Sequence, residues 1–148
     1  MDSAGIHEQL LISAVVIAAT TFVHGVFVAA AAAIFRAAKG HAEGVVRFFR
    51  DSLVLVALGL WMMFAHTVEI VMWAWVYLRY ALFDNWETAL YFSASSYTTL
   101  GFGDVLLPEG WRLLAGATAA NGLLLFGLSA AFLFDAAGQL HLGGGRRN

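Results

Sequence analysis

Three long apolar stretches decide what this chain can fold into. Residues 10 to 35 form a run of 26 without Asp, Glu, Lys or Arg; residues 52 to 82 and 111 to 134 are broken only by Glu69, Arg79 and Arg112. About 20 apolar residues suffice for a helix to cross the hydrocarbon core, so each stretch spans with some tilt. The first is expected to be a retained helix, because a cleaved leader opens on basic residues and this chain opens on Asp2 and Glu8. The expected fold class is an all-α membrane protein with three transmembrane helices. Hydrophobic residues at 61% and charged residues at 12% of 148 agree with it. A net charge of −2 argues against a nucleic-acid partner. The absence of cysteine removes disulfides and Cys-based zinc sites.

Between the second and third stretches the chain changes character. Residues 87 to 97 suit about three helical turns, too short to cross a bilayer. Then come two glycines flanking one aromatic residue, Gly101-Phe102-Gly103, closed by Asp104. Glycine accepts backbone angles that a Cβ forbids, so this segment can hold successive carbonyls pointing one way. Such a row is what a dehydrated monovalent cation needs in place of water.

The run Thr98-Thr99-Leu100-Gly101-Phe102-Gly103-Asp104 resembles the selectivity-filter signature of potassium channels, Thr-Val-Gly-Tyr-Gly-Asp, with Leu for Val and Phe for Tyr. Both replacements keep the backbone carbonyls that, with a Thr hydroxyl, coordinate the ion in that family. Residues 52 to 136 resemble its transmembrane–pore–transmembrane unit. Residues 1 to 51, a leading helix and basic loop, and the short tail 137 to 148 lie outside it. The resemblance implies a re-entrant pore helix and filter, four copies of the chain closing a homotetramer around a four-fold axis in the lipid bilayer, and K+ ions as the only bound cofactor. By position, Thr99, Leu100, Gly101 and Phe102 would supply the ion-binding carbonyls, with the Thr99 hydroxyl at the innermost site and Gly103 at the outer mouth. Tyr91 and Phe92 would brace the filter, with Thr98 at its base and Asp104 orienting its outer end. Ser95 stands where some members carry a carboxylate. The stretch from Asn121 through Gly122 to Gly127 resembles the middle of a pore-lining inner helix. Gly122 occupies the place of a gating hinge, although glycines in a membrane also permit close packing. Thr118 and Asn121 are expected to face a wet cavity. No arginine series supports a voltage sensor.

Charge sets the expected orientation. Arg36, Lys39, Arg47 and Arg50 outnumber Glu43 and Asp51 after the first run, which marks the cytoplasmic side, and residues 45 to 50 suit an amphipathic turn along the interface. Residues 84 to 109 hold no Lys or Arg but Asp84, Glu87, Asp104 and Glu109, an outer rim that concentrates cations. With Arg146 and Arg147 in the tail, the amino terminus is expected outside and the carboxyl terminus in the cytoplasm, in a prokaryotic plasma membrane. Trp73, Trp75, Tyr77 and Tyr80 read as an interfacial aromatic belt, and Arg112 as snorkelling or pairing with Glu109.

His24, His66 and Glu69 lie well inside the apolar runs. His66 and Glu69, three residues apart, share a helix face; at membrane depth such a pair marks either function or a hydrogen-bonded structural tie. His66, Trp73 or a pore-helix hydroxyl are the candidate partners of Glu69, and His24 is expected to bond a neighbouring helix. The three are too sparse to argue an enzyme, and no catalytic residue is expected. The sequence is read as a potassium-selective channel conducting K+ passively; a weakly selective cation channel and a non-conducting regulatory subunit are the alternatives.

Overall fold

The computed structural model describes residues 3–37 and 44–142. The expectations resting on Asp2, Lys39, Glu43, Arg146 and Arg147 lie outside the described residues. Among the described residues, three helices are long and apolar enough to cross a membrane: α1, Ser3–Ala37; α2, Gly44–Arg79; and α4, Leu113–Ala137. At 1.5 Å per residue they run roughly 50, 50 and 40 Å. The short α3, Trp86–Tyr97, has 12 residues, roughly 18 Å, well under the hydrocarbon thickness. A 3-10 turn at Glu109–Trp111 leads into α4 and a π turn at Gly138–Leu142 follows it. Among the described residues there is no strand. The chain is an integral membrane protein of helices, as its apolar runs require.

Two boundaries differ from the sequence reading. Residues 45 to 50 are not a separate interfacial turn but the first turns of α2, because nothing between Gly44 and Ser52 breaks a helix. There Asp51 is buried and held by Arg50 at 2.8 Å and Arg47 at 3.5 Å. The second difference is at the outer end, where α2 stops at Arg79. Ala81 takes a left-handed φ of 52°, the Ala81 N–H donates to the Leu78 carbonyl at 3.0 Å and the Leu82 N–H to the Tyr77 carbonyl at 2.9 Å. This pair of bonds closes a helix and normally has glycine at the left-handed position. Four residues on, the Asn85 side chain accepts the Thr88 N–H at 2.9 Å and caps the start of α3.

α1 packs against α2 and α4, and α3 is held against both α2 and α4. The outer core gathers Trp73, Tyr77, Phe92, Tyr97, Leu114 and Leu125. Trp73 and Tyr77 therefore do not join an interfacial belt: both are fully buried, while Trp75 and Tyr80 face outward. Positions four apart share a helix face, and the face carrying 73 and 77 is the one turned to α3 and α4. The leading helix is tied in at several depths. Gln9 Nε2 donates to the Gly110 carbonyl at 2.6 Å, Trp61 Nε1 to the Phe27 carbonyl at 3.0 Å, and Thr20 Oγ1 lies 2.8 Å from Asn121 Oδ1. Each such bond contributes about 1 kcal/mol, so packing carries most of the association.

The left-handed alanine generates a test. Ala81→Gly removes the Cβ from a conformation that costs L residues about 1 kcal/mol and leaves both closing bonds intact. The melting temperature of the purified protein should rise; a fall would contradict this account of how α2 ends.

Candidate functional site

α3 points its carboxyl end at the segment that follows. Thr98 still bonds back to the Ala94 carbonyl at 3.0 Å, and the Thr99 N–H to that of Ser96 at 2.9 Å. From there every second residue is left-handed: Thr99 at φ 62°, Gly101 at 57° and Gly103 at 79°, with Leu100 and Phe102 between them on the ordinary side. Alternating backbone hand turns successive peptide groups toward one side. Glycine takes such angles freely, but Thr99 does not, and strain of this kind collects at ligand-binding positions. Residues 98 to 104 are exposed on the single chain, with the apolar side chains of Leu100 and Phe102 at 62% and 66%.

The segment is anchored from behind. Gly101 N–H donates to the Ser95 carbonyl at 3.1 Å, and the Phe102 N–H makes a long 3.4 Å contact with Ser95 Oγ. Tyr91 donates its hydroxyl to Asp104 Oδ2 at 2.6 Å. That bond holds the Asp104 carboxyl below the usual carboxylate range and pushes the Tyr91 phenol up. The structure thus brings Tyr91, Ser95, Thr98 and Asp104 to the segment. Phe92 is buried against Tyr77 and Phe83, with ring centroids 5.2 and 5.1 Å away, so it braces α3 on α2, and it lines the same cavity as Gly101, Gly103 and Asp104.

The inner-helix residues require corrections. Thr118 and Asn121 do not face an open cavity but are buried toward α1 and α2. Thr118 Oγ1 donates to the Leu114 carbonyl and lies 2.5 Å from the Tyr77 hydroxyl; Asn121 Oδ1 accepts from Trp73 Nε1 at 2.9 Å. Gly122 sits where α4 crosses the end of α3, and a Cβ there would overlap the Tyr97 carbonyl oxygen. Its lack of a side chain serves close packing. Gly127 is exposed and a Cβ there meets nothing within 4 Å.

The sparse intramembrane groups converge. Glu69, His24 and His66 are 0%, 1% and 2% exposed. His24 Nδ1 lies 2.9 Å from Glu69 Oε1 and His66 Nδ1 lies 3.1 Å from Oε2. The Tyr97 hydroxyl donates to the same Oε2. Ser129 Oγ closes the far side, 3.0 Å from His66 Nε2 and 3.3 Å from His24 Nε2. Of the partners proposed for Glu69, His66 and a hydroxyl of α3 are present; Trp73 bonds Asn121 instead. The histidines and Glu69 bring one donor atom each within 4.8 Å of one another, but each ring nitrogen and each carboxylate oxygen already has a hydrogen-bonding partner in the cluster. Sequence reasoning missed Ser129 and the side chain of Tyr97. A lone serine in an apolar helix was the available signal for the first; the second was hidden by its place next to the glycine motif.

A family model described as an ion channel, of the two-transmembrane, potassium-channel-like kind, matches residues 56–139. The chain belongs to this ion channel family. The match begins in α2, takes in α3, the glycine segment and all of α4, and leaves α1 outside. Ion channels of this kind usually assemble as oligomers in a lipid bilayer. No curated protein and no solved structure gives a significant match to the chain.

Two predictions follow from this geometry for the channel. Gly122→Ala must push α4 away from the Tyr97 carbonyl, a backbone neighbour that cannot swing aside, and should lower stability by about 1–3 kcal/mol; a melting temperature equal to the parent's would contradict the packing role. Tyr91→Phe removes the hydroxyl bonded to Asp104, so the Asp104 carboxyl should titrate closer to the ordinary carboxylate range. The tie contributes above that range and is lost as pH falls through the depressed value. Carboxyl 13C shifts read this directly, and an unmoved Asp104 titration would show the bond to be absent.

Proposed function

We propose that the chain is a potassium-selective channel in which four copies surround a central ion path, α3 is a re-entrant pore helix, and residues 99 to 103 are the filter. The observation that carries this reading is the alternation of backbone hand at Thr99, Gly101 and Gly103, in a segment that leaves a helix too short to span. With that alternation the carbonyls of Thr99, Leu100, Gly101 and Phe102 line one side and replace the water of a K+ ion, assisted by the Thr99 hydroxyl. Gly103 forms the outer mouth. Tyr91, Ser95, Thr98 and Asp104 hold the row from behind.

A single chain supplies one quarter of the coordination shell. Non-helical backbone at membrane depth is tolerated only in protein or along a water-filled path, and the exposure of residues 98 to 104 on one subunit is what assembly would cover. The amino terminus lies outside and the carboxyl terminus in the cytoplasm, so Asp84, Glu87 and Glu109 ring the outer entrance, in a prokaryotic plasma membrane. Of the three glycines on α4, Gly116 lies in its first turn and Gly122 is committed to packing, which leaves Gly127 as the position in the body of the helix where it can bend at least cost.

Reconstituted protein should pass K+ or Rb+ into liposomes and exclude Na+. Equal entry of Na+ would make it a weakly selective pore, and no entry of either ion would make it a non-conducting subunit. Gly101→Ala is the sharper variant. A Cβ there meets no atom within 4 Å, so only the left-handed φ opposes it, at about 1–2 kcal/mol per subunit. Selective flux should be lost while the oligomer remains; unchanged selectivity would place the filter elsewhere.

A further inference from the structure

We propose that Glu69, His24, His66 and Ser129 bind one exchangeable proton as a closed ring, and that this proton, acting through Tyr97, holds the end of α3 from which the filter starts. The second half of this inference rests on the filter reading above; the first stands on hydrogen bonds alone. The contacts form a circuit: Glu69 Oε1 to His24 Nδ1, His24 Nε2 to Ser129 Oγ, Ser129 Oγ to His66 Nε2, and His66 Nδ1 back to Glu69 Oε2. Each of these four links needs one proton between its two heavy atoms. Ser129 has one and each neutral imidazole has one. The Tyr97 proton is used on Glu69 Oε2, and the Tyr97 oxygen, 3.1 Å from His66 Nδ1, can accept from that ring but brings no further proton. With an ionised carboxylate the count is three protons for four links, so one nitrogen or oxygen would face another lone pair.

A fourth proton, on an imidazole or on the carboxyl, completes the circuit. It also brings the ring to zero net charge. Without it a carboxylate charge stays 0% exposed inside a membrane-crossing bundle, which is strongly unfavourable. The titratable groups that meet here are His24 from α1, His66 and Glu69 from α2 and Tyr97 from α3; α4 brings only Ser129 and the Phe126 ring, stacked on His66 at 4.0 Å. No Lys or Arg supplies the missing positive charge among these contacts.

The ring reaches the pore through one side chain. Tyr97 is fully buried, its hydroxyl is bonded to Glu69 and its carbonyl is pressed against Gly122. The next residues are Thr98 and Thr99, the base of the proposed filter. His24 thus makes the leading helix, which lies outside the family match, part of what fixes the filter. His24 and Glu69 are positioning residues, with no contact to the ion path. Raising the pH removes the fourth proton, opens one link and charges the ring, so the hold on Tyr97 weakens.

Three arms test this in the full-length protein in liposomes. The first counts protons, from histidine 15N and Glu69 carboxyl 13C resonances assigned with His24→Gln and His66→Gln. One proton beyond two neutral imidazoles and a carboxylate is expected, leaving as pH rises; two neutral rings and an ionised Glu69 at every pH, or a stoichiometric divalent metal in the purified protein, would overturn the ring. The second arm is the pH profile of K+ over Na+ selectivity, which should fall about tenfold on loss of the proton, the worth of one hydrogen bond to a charged group. The third is Glu69→Gln, whose amide donates one proton and accepts on its oxygen. That closes the same circuit without the extra proton, so selectivity should persist and lose its pH dependence. His24→Leu, which breaks two links, should lose selectivity at all pH. Parental pH dependence in Glu69→Gln would overturn the proposal. Wild-type protein without selective flux would count against the filter reading instead, and the proton count still decides the ring.

Discussion

A polar backbone group inside hydrocarbon must find a partner within the protein, and most of this structure is a response to that rule. α1, α2 and α4 meet it by being unbroken helices. The segment after Tyr97, which the proposed channel places at membrane depth, is not helical, and the groups around it supply part of what a helix would have supplied. Ser95 takes the Gly101 and Phe102 N–H groups, Tyr91 takes up Asp104, and Gly122 lets α4 approach the last carbonyl of α3. The carbonyls that remain are the ones the proposed ion path uses.

A second constraint is the carboxylate at Glu69. Burying it costs far more than any one hydrogen bond returns, so its partners come from α1, α2 and α3, and Ser129 of α4 bonds the two histidines in turn. This gives the leading helix a physical reason to be there: it contributes His24 to that cluster and Thr20 to the Asn121 and Trp73 contact one turn away. α1 is built into the fold that the family match covers only in part.

The spans, the short helix and the glycine segment were legible because each rests on a run or a local pattern. Facing was not. Trp73 and Tyr77 look like belt residues because aromatic side chains near a helix end read alike whether they meet lipid or core. Thr118 and Asn121 read as facing a wet cavity and Gly122 as either a hinge or a packing glycine. α4 gathers Thr118, Asn121 and Ser129 on one face, and a polar stripe on a helix reads alike whether it meets water or buried hydrogen-bonding partners. Residues 45 to 50 read as a separate turn by their amphipathic pattern, whereas the absence of Gly or Pro between them and Ser52 argues for continuity. The His66–Glu69 pair and its pore-helix hydroxyl were legible from spacing, but that His24 and Ser129 join them was not. The cluster joins positions up to 105 residues apart, and only packing brings them together.

The central claim is that main-chain oxygens of residues 99 to 102 from several subunits strip the water from one alkali ion. Crystals soaked in Tl+ or Rb+ would test it most directly through anomalous scattering. The account predicts a line of ion peaks on a four-fold axis, each caged by carbonyls of Thr99, Leu100, Gly101 and Phe102. Subunits assembled with residues 98 to 104 turned to lipid, or an axis empty of ions between those residues, would contradict it.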